Sequence, residues 1–143
     1  MKQILVPIDA TQPAQTRSAI DQVVRLGRRE TLRVRLLSVQ PQVSGHVAMF
    51  FDPQELQSLQ TDAGLEDLQP ARRLLELAGV ACTCEVRVGR SADTIVETAR
   101  ELSCSSIVFG STSGGAAGWL FGSLAQQVRL LLGPQAGPQV IGS

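Results

Sequence analysis

Lys2-Gln3-Ile4-Leu5-Val6-Pro7-Ile8, followed by Asp9-Ala10-Thr11 and then Pro13, is the stretch from which the fold can be read. The run is short and apolar, which suits a strand covered on both faces. Asp9 to Thr11 turn the chain, and Pro13 opens a helix at a position where its missing N–H costs nothing. Ala14, Ile20, Val23, Val24 and Leu26 follow at roughly helical spacing, and the helix is predicted to stop near Gly27.

The same alternation continues along the chain. Leu32 to Gln40 reads as a second strand, and Pro41 to Phe51 as a loop with no sustained period. Asp52-Pro53-Gln54-Glu55 is a helix start, with Asp52 as cap and Glu55 placed to reach back as in a capping box. Helical pattern runs on to Ala78 with Gly79 at its end, and Pro70 is expected to kink or split it. Val80 to Val88 is the third strand, and Ser91 is read as the cap of the next helix. Ser106 to Phe109 is the fourth strand, a further helix runs from about Gly122 to Leu132, and Gln139 to Ile141 closes the chain as a short strand. Repeated strand-helix units imply right-handed crossovers and a parallel α/β sheet with helices on both faces. Ligands of such sheets collect at the carboxyl ends of the strands, where the strand order reverses.

Composition narrows the functional classes. The 143 residues match the usual size of one domain, so one domain over 1–143 is expected. They are 43% hydrophobic and 18% charged, too apolar for a disordered chain. Lys and Arg number 13 against 13 Asp and Glu, so there is no basic excess to displace counterions from nucleic acid. Apolar runs fall far short of the ~20 residues that span a bilayer, and no leader segment is visible. The expectation is a cytoplasmic protein that uses neither nucleic acid nor membrane. Cys82, Cys84 and Cys104 lack the spacing of a zinc site and are read as small buried residues, with Cys82 and Cys84 on one face of their strand.

Chemistry points to Gly110-Ser111-Thr112-Ser113-Gly114-Gly115-Ala116-Ala117-Gly118 and the Trp119-Leu120-Phe121-Gly122-Ser123 that follows. Glycines let backbone N–H groups approach an anion, and a helix N-terminus adds about half a positive charge. Hydroxyls of Ser111, Thr112, Ser113 and Ser123 add donors. The arrangement favours a phosphate cradle, with a plain surface loop as the other reading. No Lys follows these glycines and no G-x-G-x-x-G is present, so neither a Walker A loop nor a Rossmann fingerprint is at hand.

Four segments in order, Ile4-Leu5-Val6-Pro7-Ile8-Asp9, Val88-Gly89-Arg90-Ser91, Ile107-Val108-Phe109-Gly110-Ser111 and Leu120-Phe121-Gly122-Ser123-Leu124, resemble universal stress protein domains. The resemblance covers essentially the whole chain, including Pro138-Gln139-Val140-Ile141. It implies a three-layer sandwich around a five-stranded parallel sheet of order 3-2-1-4-5, usually dimeric. It also implies ATP bound through G-x2-G-x9-G-S/T in one branch of the family and no ATP in another.

Carried onto this sequence, the resemblance sets Asp9 facing the nucleotide, Pro7 and Ile8 lining the adenine side, and the Val39 backbone reading the adenine edge. Gly110 is the first motif glycine, with Phe109 before it, and Gly122 and Ser123 hold the later phosphates, with Leu124 after them. Ser113 stands where the second glycine belongs, with Gly114 beside it, and eight residues rather than nine separate Ser113 from Gly122. The expected ligand is ATP, with Mg²⁺ as a companion, held by a homodimer that senses or stores nucleotide. Bound ATP would order the 110–118 loop and offer a different surface to a regulatory protein partner. A ligand-free dimerising module and a slow ATPase are the alternatives.

Other readings are weaker on their residues. A receiver domain needs an acceptor Asp where Val88-Gly89-Arg90 stands. Asp9 also suits a turn in which it bonds its own backbone. His46, the lone histidine, reads as a solvated loop residue rather than a general base. Arg28-Arg29 and Arg72-Arg73 read as solvated faces, and Phe50-Phe51 as packing over the sheet edge or, in the other reading, a partner surface.

Overall fold

The apolar run that opens the chain becomes the middle of the sheet. In the computed structural model, which describes residues 1–110, 124–134 and 137–142, this run is strand β1 (Lys2–Pro7). It pairs in parallel with β2 (Leu32–Gln40) on one side, from Lys2 opposite Leu32 to Pro7 opposite Leu37. On the other side it pairs with β4 (Ser106–Val108), Ile4 opposite Ser106. β3 (Ala81–Val88) lies outside β2, and β5 (Gln139–Ile141) lies outside β4. All pairings are parallel and the order is 3-2-1-4-5, as the resemblance implies.

The alternating side chains of the strands build a core on each face. Ile4 and Val6 of β1, Val34 and Leu36 of β2 and Val108 of β4 pack with Ile20 and Val23 of α1 (Pro13–Gly27) and Leu68, Ala71 and Leu75 of α3 (Pro53–Leu77). Leu5, Leu37, Ile107 and Phe109 face the other way, against Ile95, Val96 and Ala99 of α4 (Ser91–Glu101) and Ala125 and Val128 of α5 (Leu124–Leu132). Each of the larger aliphatic side chains contributes about 1.5–3 kcal/mol by leaving water. Those cores explain why both neighbours of Leu5 are apolar: no residue of β1 from Ile4 to Val6 has a wet side.

Several local expectations are corrected. The 41–51 segment is not all loop, because α2 (Gly45–Ala48) forms one helical turn in it, with Ser44 Oγ accepting from the Val47 N–H at 3.3 Å. Asp52 occupies the cap position of α3 without a side-chain cap bond, so the capping box is not made. Ser91 is the first residue of α4 rather than its cap, which is Arg90. Pro70 neither splits nor ends α3. It lies on the exposed face together with Glu66, whose carbonyl loses its helical donor on the solvent side. Phe50 and Phe51 do not cover the sheet edge; they are 75% and 38% exposed, and Phe50 meets the edge of the exposed His46 ring at 5.8 Å.

The helix ends show where backbone conformation, rather than hydrophobicity, sets the boundary. After α3, Gly79 turns left-handed (φ +74°), the Gly79 N–H donates to Glu76 O at 3.1 Å and the Val80 N–H to Leu75 O at 3.0 Å. That is the Schellman arrangement, and glycine suits it. After α4 the same pair of bonds recurs, Ser103 to Arg100 O at 3.2 Å and Cys104 to Ala99 O at 2.9 Å, but the left-handed residue is Ser103 (φ +55°). A side chain there costs about 1 kcal/mol or more, while glycine loosens the unfolded chain by somewhat less. Ser103→Gly is therefore expected to raise the melting temperature by about 2 °C, and calorimetry of both proteins checks it.

Of the cysteines read as buried, Cys104 is buried under α4, whereas Cys82 and Cys84, on one face of β3, are half-buried against the core on the α3 side. Burial pushes all three thiols above their ordinary range. They are held protonated and poorly nucleophilic at neutral pH.

Candidate nucleotide site

The carboxyl ends of β1, β2 and β4 meet where the strand order reverses about β1. Pro7 ends β1, and the Ile8 N–H still donates to Leu37 O at 2.9 Å. Asp9 then makes the turn: its Oδ1 accepts from the Thr11 N–H at 2.9 Å and from Thr11 Oγ1 at 2.6 Å. Its main-chain carbonyl accepts from the Gln12 N–H at 3.0 Å, and α1 starts there with Gln12 as a cap that makes no side-chain bond. Asp9 is exposed at the mouth, so the turn role read from the sequence is present and its carboxylate also faces solvent.

The direction of the Val39 backbone follows from its neighbours. Peptide groups of successive strand residues bond to opposite neighbouring strands. Leu37 O accepts from Ile8 on the β1 side, and Gln40 O accepts from the Gly89 N–H at 3.0 Å on the β3 side. Val39 therefore turns its N–H and C=O toward β1, at a level beyond Pro7, the last β1 residue in the ladder. A donor and an acceptor lie side by side at the head of the crevice. On the other face of β2, Gln40 Nε2 donates to Ser38 Oγ at 2.9 Å and to Asp67 Oδ2 of α3 at 3.3 Å, which steadies this strand end.

β4 supplies the opposite wall. Phe109 is buried, and its N–H donates to Ile141 O at 2.8 Å. Gly110 follows, also buried, pressed against the backbone of α1: a Cβ at Gly110 would stand 2.7 Å from the Gln15 carbonyl carbon and 3.0 Å from the Ala19 nitrogen. The motif reading gave this glycine to the ligand; the structure gives it a packing reason as well. Leu124, half-buried at the start of α5, packs on the α4 side. Ser113, Gly114, Gly122 and Ser123 lie outside the described residues, as does the expected helix start at Gly122.

Two glutamines of α1 escaped the sequence reading. Gln15 Nε2 donates to Gly110 O at 3.3 Å and Gln22 Nε2 to Phe109 O at 3.4 Å. Their spacing was the available signal: seven apart, they share the helix stripe that carries buried Ala19 and Val23, an unusual place for amides unless something polar lies beneath.

Among the described residues no three His, Cys, Asp or Glu gather as a metal's ligands would, and no helix is long and apolar enough to cross a membrane. At the carboxyl ends of β1 and β2 stand the half-buried Pro7, Ile8 and Val39, the donor and acceptor of the Val39 backbone, and the exposed Asp9 carboxylate.

A parallel sheet of order 3-2-1-4-5 with helices on both faces and a crevice at its reversal defines a doubly wound α/β protein. The chain belongs to the universal stress protein family, whose model matches residues 1–130. Solved structures agree on the fold. A family protein from Arabidopsis thaliana with AMP bound superposes with a TM-score of 0.67 at 15% identity, over 99% of this chain and 92% of that one. The universal stress protein from Archaeoglobus fulgidus in complex with dAMP gives 0.64 at 19% identity, over 99% and 97%. A universal stress protein in complex with cAMP gives 0.61 at 17%, over 99% and 95%. No curated protein matches the sequence.

Proposed function

We propose that this protein binds an adenine nucleotide, with ATP as its working ligand, and acts as a sensing module rather than a catalyst. The observation that carries the reading is the Val39 backbone, whose N–H and C=O point into the crevice beyond β1. Adenine offers a ring-nitrogen acceptor beside an amino donor, which complements that pair. Guanine offers the reverse and leaves both backbone groups unpaired, a loss of the kind that discriminates strongly. Asp9 accepts from ribose hydroxyls, and the 111–123 segment meets the phosphates. Similar folds whose names record bound AMP, dAMP and cAMP support the adenine preference. Mg²⁺ would arrive with the phosphates, as it commonly does, rather than in a protein cage.

The protein is also proposed to pair with a second copy through β5. This strand is three residues long and among the described residues it pairs with β4 alone, at the edge of the sheet, where a second copy could continue the ladder.

Thermal unfolding with AMP, ATP with and without Mg²⁺, and GMP tests the reading. Ligand at a hundred times its Kd stabilises by about 2.7 kcal/mol, so adenine nucleotides are expected to raise the melting temperature by several degrees, and GMP to leave it in place. Light scattering on the same samples is expected to give the mass of two copies. No rise with any adenine nucleotide at millimolar concentration overturns the assignment, and equal rises with AMP and GMP overturn the role of Val39.

A further inference from the structure

We infer that Gln15 and Gln22 are positioning residues for the nucleotide site, acting through the carbonyls at the end of β4. The inference rests on the adenine-nucleotide reading for its binding consequence and on hydrogen bonds alone for its structural one.

The peptide that leaves β4 is pinned from several sides. Gln22 Nε2 donates to Phe109 O at 3.4 Å and Gln15 Nε2 to Gly110 O at 3.3 Å. Gly142 (φ +93°) packs so closely on the Phe109 carbonyl that a Cβ at Gly142 would stand 2.9 Å from the carbonyl carbon. Arg129 Nη2 of α5 in turn donates to Gly142 O at 2.6 Å. The Phe109 peptide is thus clamped between α1 and the residue that follows β5.

A trans peptide is planar, with its C=O and the next N–H pointing opposite ways. Fixing the Phe109 carbonyl toward α1 therefore fixes the Gly110 N–H away from α1. A glutamine is suited to the task because its amide donates without adding charge, so it holds a carbonyl without repelling an anion or attracting one from the crevice. Both amides are half-buried between helix and strand, where an unmade bond is costly and the alternatives in water are few. The glutamines act through the backbone and need no contact with the ligand.

The test uses the full chain with Gln15→Leu, Gln22→Leu and the double change, beside the exposed Gln57→Leu on α3 as control. Leucine removes the donor and ends one atom short of the glutamine amide, so it cannot reach the carbonyl with a polar group. AMP is the probe, by calorimetry. Losing one such bond is expected to weaken AMP about tenfold, with the double change weaker still and the control unchanged. A ligand-free readout runs in parallel: amide exchange of Phe109 and Gly110 by NMR, expected to speed at least tenfold in the double variant while amides of β2 hold. Gln15→Glu adds a further arm, since an ionised carboxylate cannot donate to the Gly110 carbonyl and should behave as the leucine does.

Unchanged exchange at Phe109 and Gly110 in the double variant overturns the positioning role, whatever the affinity. Faster exchange with AMP affinity equal to wild type also overturns it, because the pinned peptide then has no consequence for binding. Faster exchange in a protein whose wild type binds no adenine nucleotide leaves the tether standing as a fact of the fold, overturns its binding role, and assigns the failure to the nucleotide reading.

Discussion

Gly110→Ala is expected to lower the melting temperature by about 10 °C in the absence of any ligand. The added methyl has no room. It would stand 2.7 Å from the Gln15 carbonyl carbon, nearer still to the Gln15 oxygen, and 3.0 Å from the Ala19 nitrogen. Those atoms are helix backbone and cannot rotate away as a side chain would. Either α1 lifts from the sheet, loosening Ile20 and Val23 from the core, or the end of β4 swings out and breaks the Phe109 bond to Ile141. Overpacking of this kind costs about 3 kcal/mol, and few degrees of freedom exist here to relieve it. Gly27→Ala is the control, because its nearest neighbours would lie 3.6 and 3.8 Å away, ordinary contacts, in the last turn of the same helix. Melting curves of the three proteins decide the matter. A fall of less than 2 °C for Gly110→Ala would mean that this glycine serves the ligand alone and that its approach to α1 is not tight.

The packing of Gly110 against α1, which its place in a motif did not announce, shows how far the sequence can be read. Hydrophobic period placed every strand within a residue of its observed position, most plainly β1 and β4, whose central residues are buried on both faces. Pro13, Gly27 and Gly79 marked helix boundaries for reasons local to the backbone. Caps were less legible: Asp52 and Ser91 have the right chemistry, but a cap also requires a side-chain rotamer aimed at a particular N–H, and neither supplies one. Pro70 does not split α3, since it lies on the exposed face of the helix. At the candidate site, Asp9 and Val39 came from the family resemblance, and the structure sets both beside the carboxyl ends of their strands. Gln15 and Gln22 were not legible, since their partners are carbonyls nearly a hundred residues away, and main-chain acceptors leave no mark on composition. The exposure of Phe50 and Phe51 likewise depends on where α2 lies, and a four-residue helix carries too little period to announce itself.

Gly64→Ala should reverse its sign with the residue opposite. In a helix, alanine is better than glycine by up to about 1 kcal/mol, so propensity alone predicts a gain. Gly64, however, lies buried in α3 where the helix crosses β3, and a Cβ there would meet Val86 Cγ1 at 2.5 Å and Cγ2 at 2.7 Å. The steric term, roughly 3 kcal/mol, exceeds the propensity term, so the substitution is expected to destabilise by about 2 kcal/mol and lower the melting temperature by about 7 °C. Val86 is a side chain on an edge strand, half-buried, and can be trimmed. A Val86→Ala background removes both colliding methyls and leaves only the Cβ of residue 86, 3.1 Å away, so most of the collision goes and Gly64→Ala should there stabilise by somewhat less than the full propensity gain of about 1 kcal/mol. A double-mutant cycle by urea unfolding measures the difference, a coupling of about 3 kcal/mol. Additive effects in the cycle would mean that α3 rides higher over β3 than these distances require. The contact matters beyond stability because the same helix carries Asp67, which holds Gln40 next to the Val39 backbone at the head of the crevice. A helix pushed off β3 by an alanine at 64 should therefore also weaken AMP, and Val86→Ala should restore affinity and stability together.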